Sequence, residues 1–147
     1  MDDCIFCKII AGEIPCEKVF ENDHVLAFLD ISQVTPGHTL LIPKKHLKDI
    51  FYYDSQDACN FCSSVPMIAK AIQKAFPQSK GLNMVMNNGS VAYQSVFHSH
   101  LHLIPRYSEN DSFSMNFTNN SQTYSQEVFQ ERAKNIEENI NIEGVNS

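Results

Sequence analysis

The sequence has little of the residues that keep a chain disordered or that bind nucleic acid. Glycine and proline number only 5 and 6 among 147 residues, while 43% of the residues are hydrophobic. That composition supplies enough apolar surface for a core and excludes disorder along the whole chain. Basic residues are also scarce, with 11 lysines and arginines against 17 acidic residues and a formal net charge of −6. The lack of a basic surplus argues against binding to a nucleic-acid duplex.

The sequence also lacks any apolar run of the roughly 20 residues that cross a membrane. At its start, Met1-Asp2-Asp3 is acidic where a secretory signal is basic, and no long apolar segment follows. We therefore expect a cytoplasmic protein without a membrane partner. Its length fits one ordinary domain.

Cysteine is present in a small, odd number, 5 residues, which is poorly suited to a disulfide framework. Two pairs, Cys4/Cys7 and Cys59/Cys62, have C-x-x-C spacing, and in a reducing compartment this spacing favours metal binding. The second pair lies about one turn apart on a predicted helix, where Cys62 falls on the apolar face. We predict that Cys59 and Cys62 are packing residues.

Apolar runs bounded by turn signals predict several short strands with tight connections. The predicted strands cover residues 16–21, 25–29, 39–42, 82–86 and 96–104. Apolar residues at helical spacing predict a long helix over about 55–75, which Pro66 should kink or locally break. Together these elements predict an α+β fold on an antiparallel sheet.

The last part of the sequence is polar and then helical. Residues 108–123 are rich in Ser, Asn and Thr, and Thr123 with Gln126 resembles a capping box. One apolar face of the helix that follows is marked by Phe129, Ala133, Ile136 and Ile140. We therefore divide the chain into a main domain over 1–107 and a polar loop with a C-terminal helix over 108–147, packed on that same domain.

Three of the six histidines fall at alternate positions of one predicted strand, at His98, His100 and His102. The period of two residues places the three imidazoles on one face of the strand. Such a row can bind a metal, present a nucleophile with polar partners, or line a solvated sheet face. The spacing alone leaves these three interpretations open.

The pattern His98-x-His100-x-His102, with apolar residues between and after the histidines, resembles the signature of the histidine triad (HIT) nucleotide hydrolases and transferases. Further segments resemble the same family, in the same order, over about residues 4–107. They are Cys4 to Ile10, Val25 to Asp30, Pro36 to His46 and Asn83 to Gly89. The cysteine pair makes the sequence most similar to the bacterial Hit-type branch. The resemblance implies a HIT-like fold, with an antiparallel sheet, a long central helix and a C-terminal helix.

The resemblance also implies a chemistry. HIT proteins bind purine nucleotides and attack the α-phosphate, so that the middle histidine becomes transiently nucleotidylated. The implied substrates are phosphoramidates or dinucleoside polyphosphates with an AMP-like part, and no organic cofactor is implied. The resemblance further implies a homodimer that pairs through the region near residues 60–90. A nucleotide-binding regulatory or adaptor protein with vestigial turnover is the alternative.

Carried onto this sequence, the resemblance gives roles to single residues. The implied catalytic residues are His100 as nucleophile, His102 at the phosphate and leaving group, Ser95 near the bridging atom and His38 beside the triad. The implied nucleotide-binding residues are Asp30 for the ribose hydroxyls, Asn87 for the phosphate, Phe6, Ile9, Phe28 and Ile31 around the base, and Gln94. Simpler interpretations compete, because Asn87 also suits a turn and Phe28 also suits a core.

The N-terminal cysteine pair supplies half of a closed zinc site, which needs four nitrogen or sulfur ligands. The resemblance supplies the other half, because proteins of the cysteine-bearing branch can hold a structural zinc with two histidines. The implied ligands are Cys4, Cys7, His46 and His98. Reduced thiols that pack without metal are one alternative. A catalytic metal on the three histidines of the strand is another, and it requires an open coordination position.

One residue departs from the family pattern. The family commonly has glycine just before the Gln-x-x-x-His run, and this sequence has Tyr93 there. A side chain at this position resists positive φ and crowds the approach to a bound phosphate, although the backbone N–H can still donate. The sequence therefore leaves the geometry of this loop and the size of the substrate open.

Overall fold

Four α-helices and five short strands lie within residues 3–140, the part of the chain that the computed structural model describes. The helices are α1 (Ile5–Ile10), α2 (Ser55–Cys62), α3 (Val65–Ala75) and α4 (Gln126–Glu138). The strands are β1 (Lys18–Glu21), β2 (Val25–Leu29), β3 (Thr39–Pro43), β4 (Gly81–Met86) and β5 (Leu101–Arg106). Short 3-10 turns cover Ile50–Tyr52 and Ser90–Ala92. Within residues 3–140, no helix has the length and apolar character needed to cross a membrane.

The strands form one antiparallel sheet in the order β1-β2-β3-β5-β4. At its centre, β3 pairs with β2 along its whole length and with β5 from Thr39 opposite Leu103 to Leu41 opposite Leu101. This arrangement confirms the predicted α+β fold on an antiparallel sheet. It also leaves β1 and β4 as the two edges.

Alternate residues of β2 and β3 face opposite sides of the sheet, and each side has its own core. The first core joins strand residues to α2 and α3 and contains Val25, Ala27, Leu41, Leu103, Phe61, Ile68 and Ile72. The second joins the opposite strand residues to α1 and contains Leu26, Phe28, Leu40, Ile42 and Phe6. His102 lies directly opposite Leu40 in the ladder and therefore shares the α1 side of the sheet. The first helix thus borders the face that carries the histidines.

The helix predicted over 55–75 is two helices. A capping box closes the start of α2, because the Asp54 side chain accepts from the backbone of Asp57, whose own carboxylate accepts from the backbone of Asp54. The helix α2 ends at Cys62, and α3 begins at Val65 with Pro66 in its first turn. Proline is tolerated there because the first backbone N–H groups of a helix have no intrahelical partner. Of the two effects predicted for Pro66, a kink or a local break of the helix, the structure shows the break.

The strand predicted over 96–104 begins later, at Leu101. Continuing the ladder by two residues would place Ser99 opposite Pro43, which has no backbone N–H to donate. Ser99 instead donates its N–H to the carbonyl of Leu47, at 2.6 Å. Two of the three histidines, His98 and His100, therefore lie in an extended segment before the strand.

The chain forms two compact units, the first ending at Ser114 and the second beginning at Met115. The predicted boundary at 107/108 lies a few residues earlier. In the second unit the helix α4 has Ser125 as its N-cap, without a side-chain cap bond, so the capping box predicted at Thr123 is wrong. That the C-terminal helix packs on the main domain stays a prediction, and residues 141–147 of the predicted segment lie outside the described part.

Candidate active site and metal centre

An open cavity of about 580 Å³ lies between α1, the ends of β2 and β5, and the connection from β4 to β5. Its wall includes nine residues predicted for the site: Phe6, Ile9, Phe28, Asp30, Ile31, Asn87, Ser95, His100 and His102. A cavity of this size suits a small organic ligand. The topology therefore brings together residues that are spread over nearly a hundred positions of the sequence.

His100 has one ring nitrogen bound and the other available. Its Nδ1 lies 2.8 Å from the backbone carbonyl oxygen of His98. A carbonyl oxygen only accepts, so Nδ1 carries the proton and Nε2 holds an unprotonated lone pair on the far side of the ring. The ring is 4% exposed and contacts the edge of Phe6, with 5.2 Å between ring centroids. The surroundings thus hold His100 in one orientation and one tautomer.

His102 takes its tautomer from a chain of hydrogen bonds that begins in the loop after β2. The N–H of Val34 donates to Nδ1 of His38 at 3.3 Å, so His38 carries its proton on Nε2. That Nε2–H donates to Nδ1 of His102 at 2.9 Å. His102 therefore keeps its own proton on Nε2, where it is a hydrogen-bond donor. His38 is 2% exposed and lies behind His102 rather than on the cavity wall.

Both of these histidines are neutral near pH 7. Burial lowers the pKa of His38, and the nearby Asp30 carboxylate opposes that effect only in part. For His102, burial and then the charges of His100 and His38 lower the pKa to about 4. Neutral rings can keep the single-proton hydrogen bonds described above, which two charged rings could not.

Asp30 is held as a carboxylate beside these rings. Its Oδ1 accepts from the backbone N–H and the hydroxyl of Ser32, at 2.7 and 2.6 Å. Its Oδ2 faces Nε2 of His38 at 3.7 Å and Nδ1 of His102 at 4.0 Å. Burial acts to raise the pKa of Asp30, but the two Ser32 bonds and the histidines outweigh it and lower the pKa. One carboxylate oxygen therefore remains available at the cavity.

The loop between β4 and β5 is held by Gln94 and Asn88. The side-chain amide of Gln94 donates to the carbonyls of Lys48 and Val96, and its oxygen accepts from the N–H of Gly89. Gln94 is 4% exposed and lies off the cavity wall, and the nucleotide-binding role predicted for it stays a prediction. The turn contacts are made by Asn88, which accepts from the N–H of Ile50. Asn87 is thereby left on the cavity wall.

Tyr93 adopts the left-handed conformation that glycine would adopt freely, with φ of 67°. Its N–H donates to the carbonyl of Ser90 at 3.0 Å and closes the 3-10 turn. The backbone N–H considered from the sequence as a donor to a bound phosphate is thus used within the loop. The side chain is 86% exposed and lies on the rim of the cavity.

One site residue gave no sequence signal. Gln33, on the cavity wall, donates from its side-chain amide to the carbonyls of Asp30 and His38 and accepts from the N–H of Gly37. These bonds fix the loop that places the Asp30 carboxylate next to the histidines. A lone glutamine between a serine and a valine offers no pattern that would predict this role.

A second cluster lies behind the cavity, where α1 begins. The ligand atoms of Cys4, Cys7, His46 and His98 all lie within 4.8 Å of one another. Nδ1 of His98 is 3.5 Å from Sγ of Cys4 and 3.6 Å from Sγ of Cys7, and Nδ1 of His46 is 3.2 Å from Sγ of Cys7. Ligands of a tetrahedral zinc are separated by about 3.5 Å. These three separations match that spacing, and the four predicted ligands are brought together in one cluster that could hold a metal ion.

The tautomer of His98 suits a metal, whereas the Cys7 thiol must lose a proton to bind one. Nε2 of His98 donates to the carbonyl of Pro43 at 2.8 Å, which leaves Nδ1 unprotonated and directed at the cysteines. Burial, followed by the hydrogen bond with Cys4, raises the pKa of the Cys7 thiol to about 11. Without a metal the thiol thus stays protonated, and a bound cation would replace that proton.

The other cysteine pair has a different setting. Cys59 and Cys62 are both exposed on α2. The prediction that they are packing residues is therefore wrong, because α2 turns Phe61 rather than Cys62 into the core. Across residues 3–140, neither cysteine belongs to a metal-binding cluster.

Comparison with known proteins identifies the family. The family model described as the HIT domain matches residues 11–109. The chain belongs to the HIT family. The resemblance carried by the histidine pattern is thus confirmed. Among HIT relatives, Protein hit of Bacillus subtilis is 49% identical over 135 residues, which are 92% of this chain and 92% of that protein.

Solved HIT structures share the fold. The crystal structure of a HIT family protein from Bacillus anthracis has a TM-score of 0.92 at 52% identity and covers 95% of this chain and 99% of that one. A zinc-bound histidine triad family protein from Mycobacterium smegmatis has a TM-score of 0.71 at 31% identity, covering 83% of this chain and 88% of that one. The HIT-like fold predicted from the sequence is confirmed.

Two further HIT relatives are named as enzymes. An adenosine 5'-monophosphoramidase of Schizosaccharomyces pombe is 40% identical over 106 residues, which are 72% of this chain and 76% of that enzyme. An adenylylsulfatase of Arabidopsis thaliana is 45% identical over 105 residues, which are 71% of this chain and 53% of that enzyme. Membership of the HIT family makes this chain a nucleotide-binding protein of the hydrolase and transferase class.

Proposed function

We propose that this HIT protein hydrolyses purine nucleotides at the α-phosphate through a nucleotidyl-histidine intermediate on His100. The observation that carries the proposal is the unprotonated Nε2 of His100, on a ring whose Nδ1–H is bound to a backbone carbonyl. A neutral imidazole fixed in this way is a competent nucleophile near neutral pH.

The walls of the cavity suit the rest of a nucleotide. The Asp30 carboxylate keeps one oxygen free beside the cavity and can accept from the ribose hydroxyls. The apolar side chains around α1 and β2 provide surfaces for a purine, those of Phe6, Ile9, Phe28 and Ile31. An adenosine nucleotide is also consistent with the names of the phosphoramidase and adenylylsulfatase relatives.

The proposed reaction has two displacements. In the first, the Nε2 lone pair of His100 forms a bond to the α-phosphorus, and the bond to the leaving group breaks. The leaving group departs with the bonding electrons and, if it is an amine, takes a proton from water. The Nε2–H of His102 donates to the phosphoryl oxygens, and the Ser95 hydroxyl donates near the bridging atom. In the second, water attacks the phosphorus, the P–Nε2 bond breaks, and a nucleoside monophosphate and a proton are released.

The experiment compares His100→Ala with the native protein on the phosphoramidate of AMP. Loss of a covalent nucleophile should lower turnover by at least about a thousandfold, or about 4 kcal/mol in the barrier, while AMP binding survives. His24→Ala removes an exposed histidine outside the cavity and should retain native turnover. Mass spectrometry of acid-quenched native enzyme should locate the nucleotidyl group on His100.

A loss of less than about tenfold in His100→Ala would reject His100 as the nucleophile. The alternative, a regulatory or adaptor protein with vestigial turnover, predicts a native rate no higher than that of His100→Ala together with intact AMP binding. The same measurements thus separate the two functions.

We also propose that Cys4, Cys7, His46 and His98 hold a structural zinc. The ligand separations and the unprotonated Nδ1 of His98 support this, and a zinc-bound HIT relative exists. A zinc there would supply no step of the reaction, because His100 and His102 are not among its ligands. It would hold the start of α1, and with it Phe6, against the sheet.

We further propose a homodimer and a cytoplasmic location. The edge strand β4 and the helix α3 expose Met84 and Met67, at 55% and 49%, within the region near residues 60–90. An unpaired strand edge with exposed apolar side chains is a frequent pairing surface. None of the five cysteines, all of which lie within residues 3–140, forms a disulfide, which is consistent with a reducing compartment.

A further inference from the structure

Tyr93 has a strained backbone conformation and an exposed aromatic ring, and neither feature stabilises the folded chain. A tyrosine at φ of 67° is strained, because a Cβ atom crowds the backbone in the left-handed region. Its ring is 86% exposed, so burial of the ring contributes little to the stability of the folded chain. Strained residues of this kind are concentrated at functional sites. The place of the ring at the cavity rim indicates where its function lies.

The sheet order separates the two ends of a bound substrate. The reacting histidines, His100 and His102, lie at and just before the start of β5. On one side of β5 lie β3 and β2, and Asp30 follows β2 directly. On the other side lies β4, and the connection from β4 to β5 carries Tyr93. With the nucleoside on the Asp30 side, the part of the cavity on the Tyr93 side of β5 is left for the leaving group.

The chain segment around Tyr93 is uncharged and partly apolar. Val91 in the same loop is 97% exposed, and Val96 lies on the cavity wall. No Asp, Glu, Lys or Arg lies between residues 87 and 96. The N–H of Tyr93 is used by Ser90, so the ring is the part of this residue that is free to meet a ligand. A planar apolar surface of this kind is suited to stacking against another ring.

We propose that Tyr93 determines specificity for the leaving group and favours leaving groups that carry an aromatic ring. The inference rests on the proposed function, since it assumes attack at the α-phosphate by His100. The ring stands at the rim and stacks on the departing group in the ground state and in the transition state alike. Its contribution is therefore expected in KM rather than in kcat.

The test uses amidates of AMP whose amine is tryptamine or methylamine, with diadenosine tetraphosphate as a second aromatic substrate. Tyr93→Ala and Tyr93→Gly should raise KM for the tryptamine amidate roughly five- to tenfold at unchanged kcat, and leave the methylamine amidate unaffected. Tyr93→Phe should behave like the native protein. The KM for diadenosine tetraphosphate in the same variants shows whether Tyr93 recognises an aromatic amine or the nucleobase of a second nucleotide.

Two control comparisons distinguish an effect of the Tyr93 ring from an effect of backbone strain and from the loss of any exposed aromatic ring. Tyr93→Gly relieves the strain and Tyr93→Ala retains it, so an effect of the ring must be the same in both variants. Phe51 is 83% exposed and does not line the cavity, and Phe51→Ala should change neither KM nor kcat. An unchanged ratio of tryptamine to methylamine KM in both Tyr93 variants would overturn the proposal.

A failure of the proposed function would look different. The native protein would then turn over none of the three substrates. Equilibrium binding of non-hydrolysable phosphonate analogues, with indolylethyl or methyl groups in place of the amines, then tests Tyr93 directly. Tighter binding of the indolylethyl analogue to the native protein than to Tyr93→Ala supports the aromatic contact, and equal binding rejects it.

Discussion

Protonation of His102 should couple the stability of this protein to pH. The pKa of its ring is about 4 in the folded chain, against an ordinary 6.5, and its side chain is 21% exposed. Below pH 6.5 the unfolded chain therefore binds a proton that the folded chain resists. The stabilising contribution of the neutral ring is complete above pH 6.5 and is lost as pH falls toward 4. Linkage gives a loss of about 2 kcal/mol at pH 5 and about 3 kcal/mol at pH 4.

Urea unfolding at pH 7.5, 6, 5 and 4, followed by circular dichroism, measures this loss. His102→Gln removes the titrating group, so the native protein should lose about 3 kcal/mol more than this variant between pH 7.5 and 4. Groups away from His102, including those of the metal cluster, are shared by both proteins and cancel in the difference, whereas the Asp30 carboxyl, whose pKa His102 helps to lower, does not. His24→Gln, at an exposed position, should follow the native curve. Equal losses in native protein and His102→Gln would refute the reasoning.

Three other predictions concern the metal cluster, a turn and the assembly. Cys4→Ser with Cys7→Ser should remove about one zinc per chain and lower Tm more than it lowers turnover per folded molecule, because the nucleophile is not a ligand; native protein without zinc, with a Tm that ignores added zinc, would contradict this. Gly37→Ala should cost about 2–4 kcal/mol in urea unfolding, since φ is 90° and the new Cβ would lie 2.7 Å from the Phe76 ring. Gly12→Ala has a similar φ but open space and should cost only about 1 kcal/mol. Light scattering at micromolar concentration should give the mass of a dimer, and a monomer would reject the proposed pairing.

The sequence predicted the sheet well where the hydrophobic pattern itself decides the structure. The apolar run from Val25 to Leu29 and the run from Thr39 to Ile42 form strands because both are buried on two faces. The late start of β5 could not be read from the histidine alternation, since it depends on Pro43 in a strand that is distant in sequence. The position of Pro66 in the first turn of a new helix likewise depends on where α2 ends.

The site was predicted through motif and resemblance rather than through local pattern. In the sequence, β3, α2, α3 and β4 lie between Asp30 and His100. Only the family resemblance indicated that these two residues meet. The structure adds what no pattern encodes, namely which ring nitrogen carries each proton. Those protons are fixed by backbone groups, the carbonyl of His98 and the N–H of Val34, whose positions follow from the folded chain. The loop-holding role of Gln94 was missed for the same reason.

His98 connects the proposed metal cluster to His100, the proposed nucleophile, in two chemically independent ways. Its imidazole faces the cysteines, whereas its main-chain carbonyl, which every amino acid possesses, orients His100. This hydrogen bond to His100 therefore does not depend on the identity of the side chain at position 98. Exchange of the four proposed metal ligands for apolar residues would leave this carbonyl and its bond to His100 in place. The proposed metal site and the proposed nucleophile are thus open to change by different mutations.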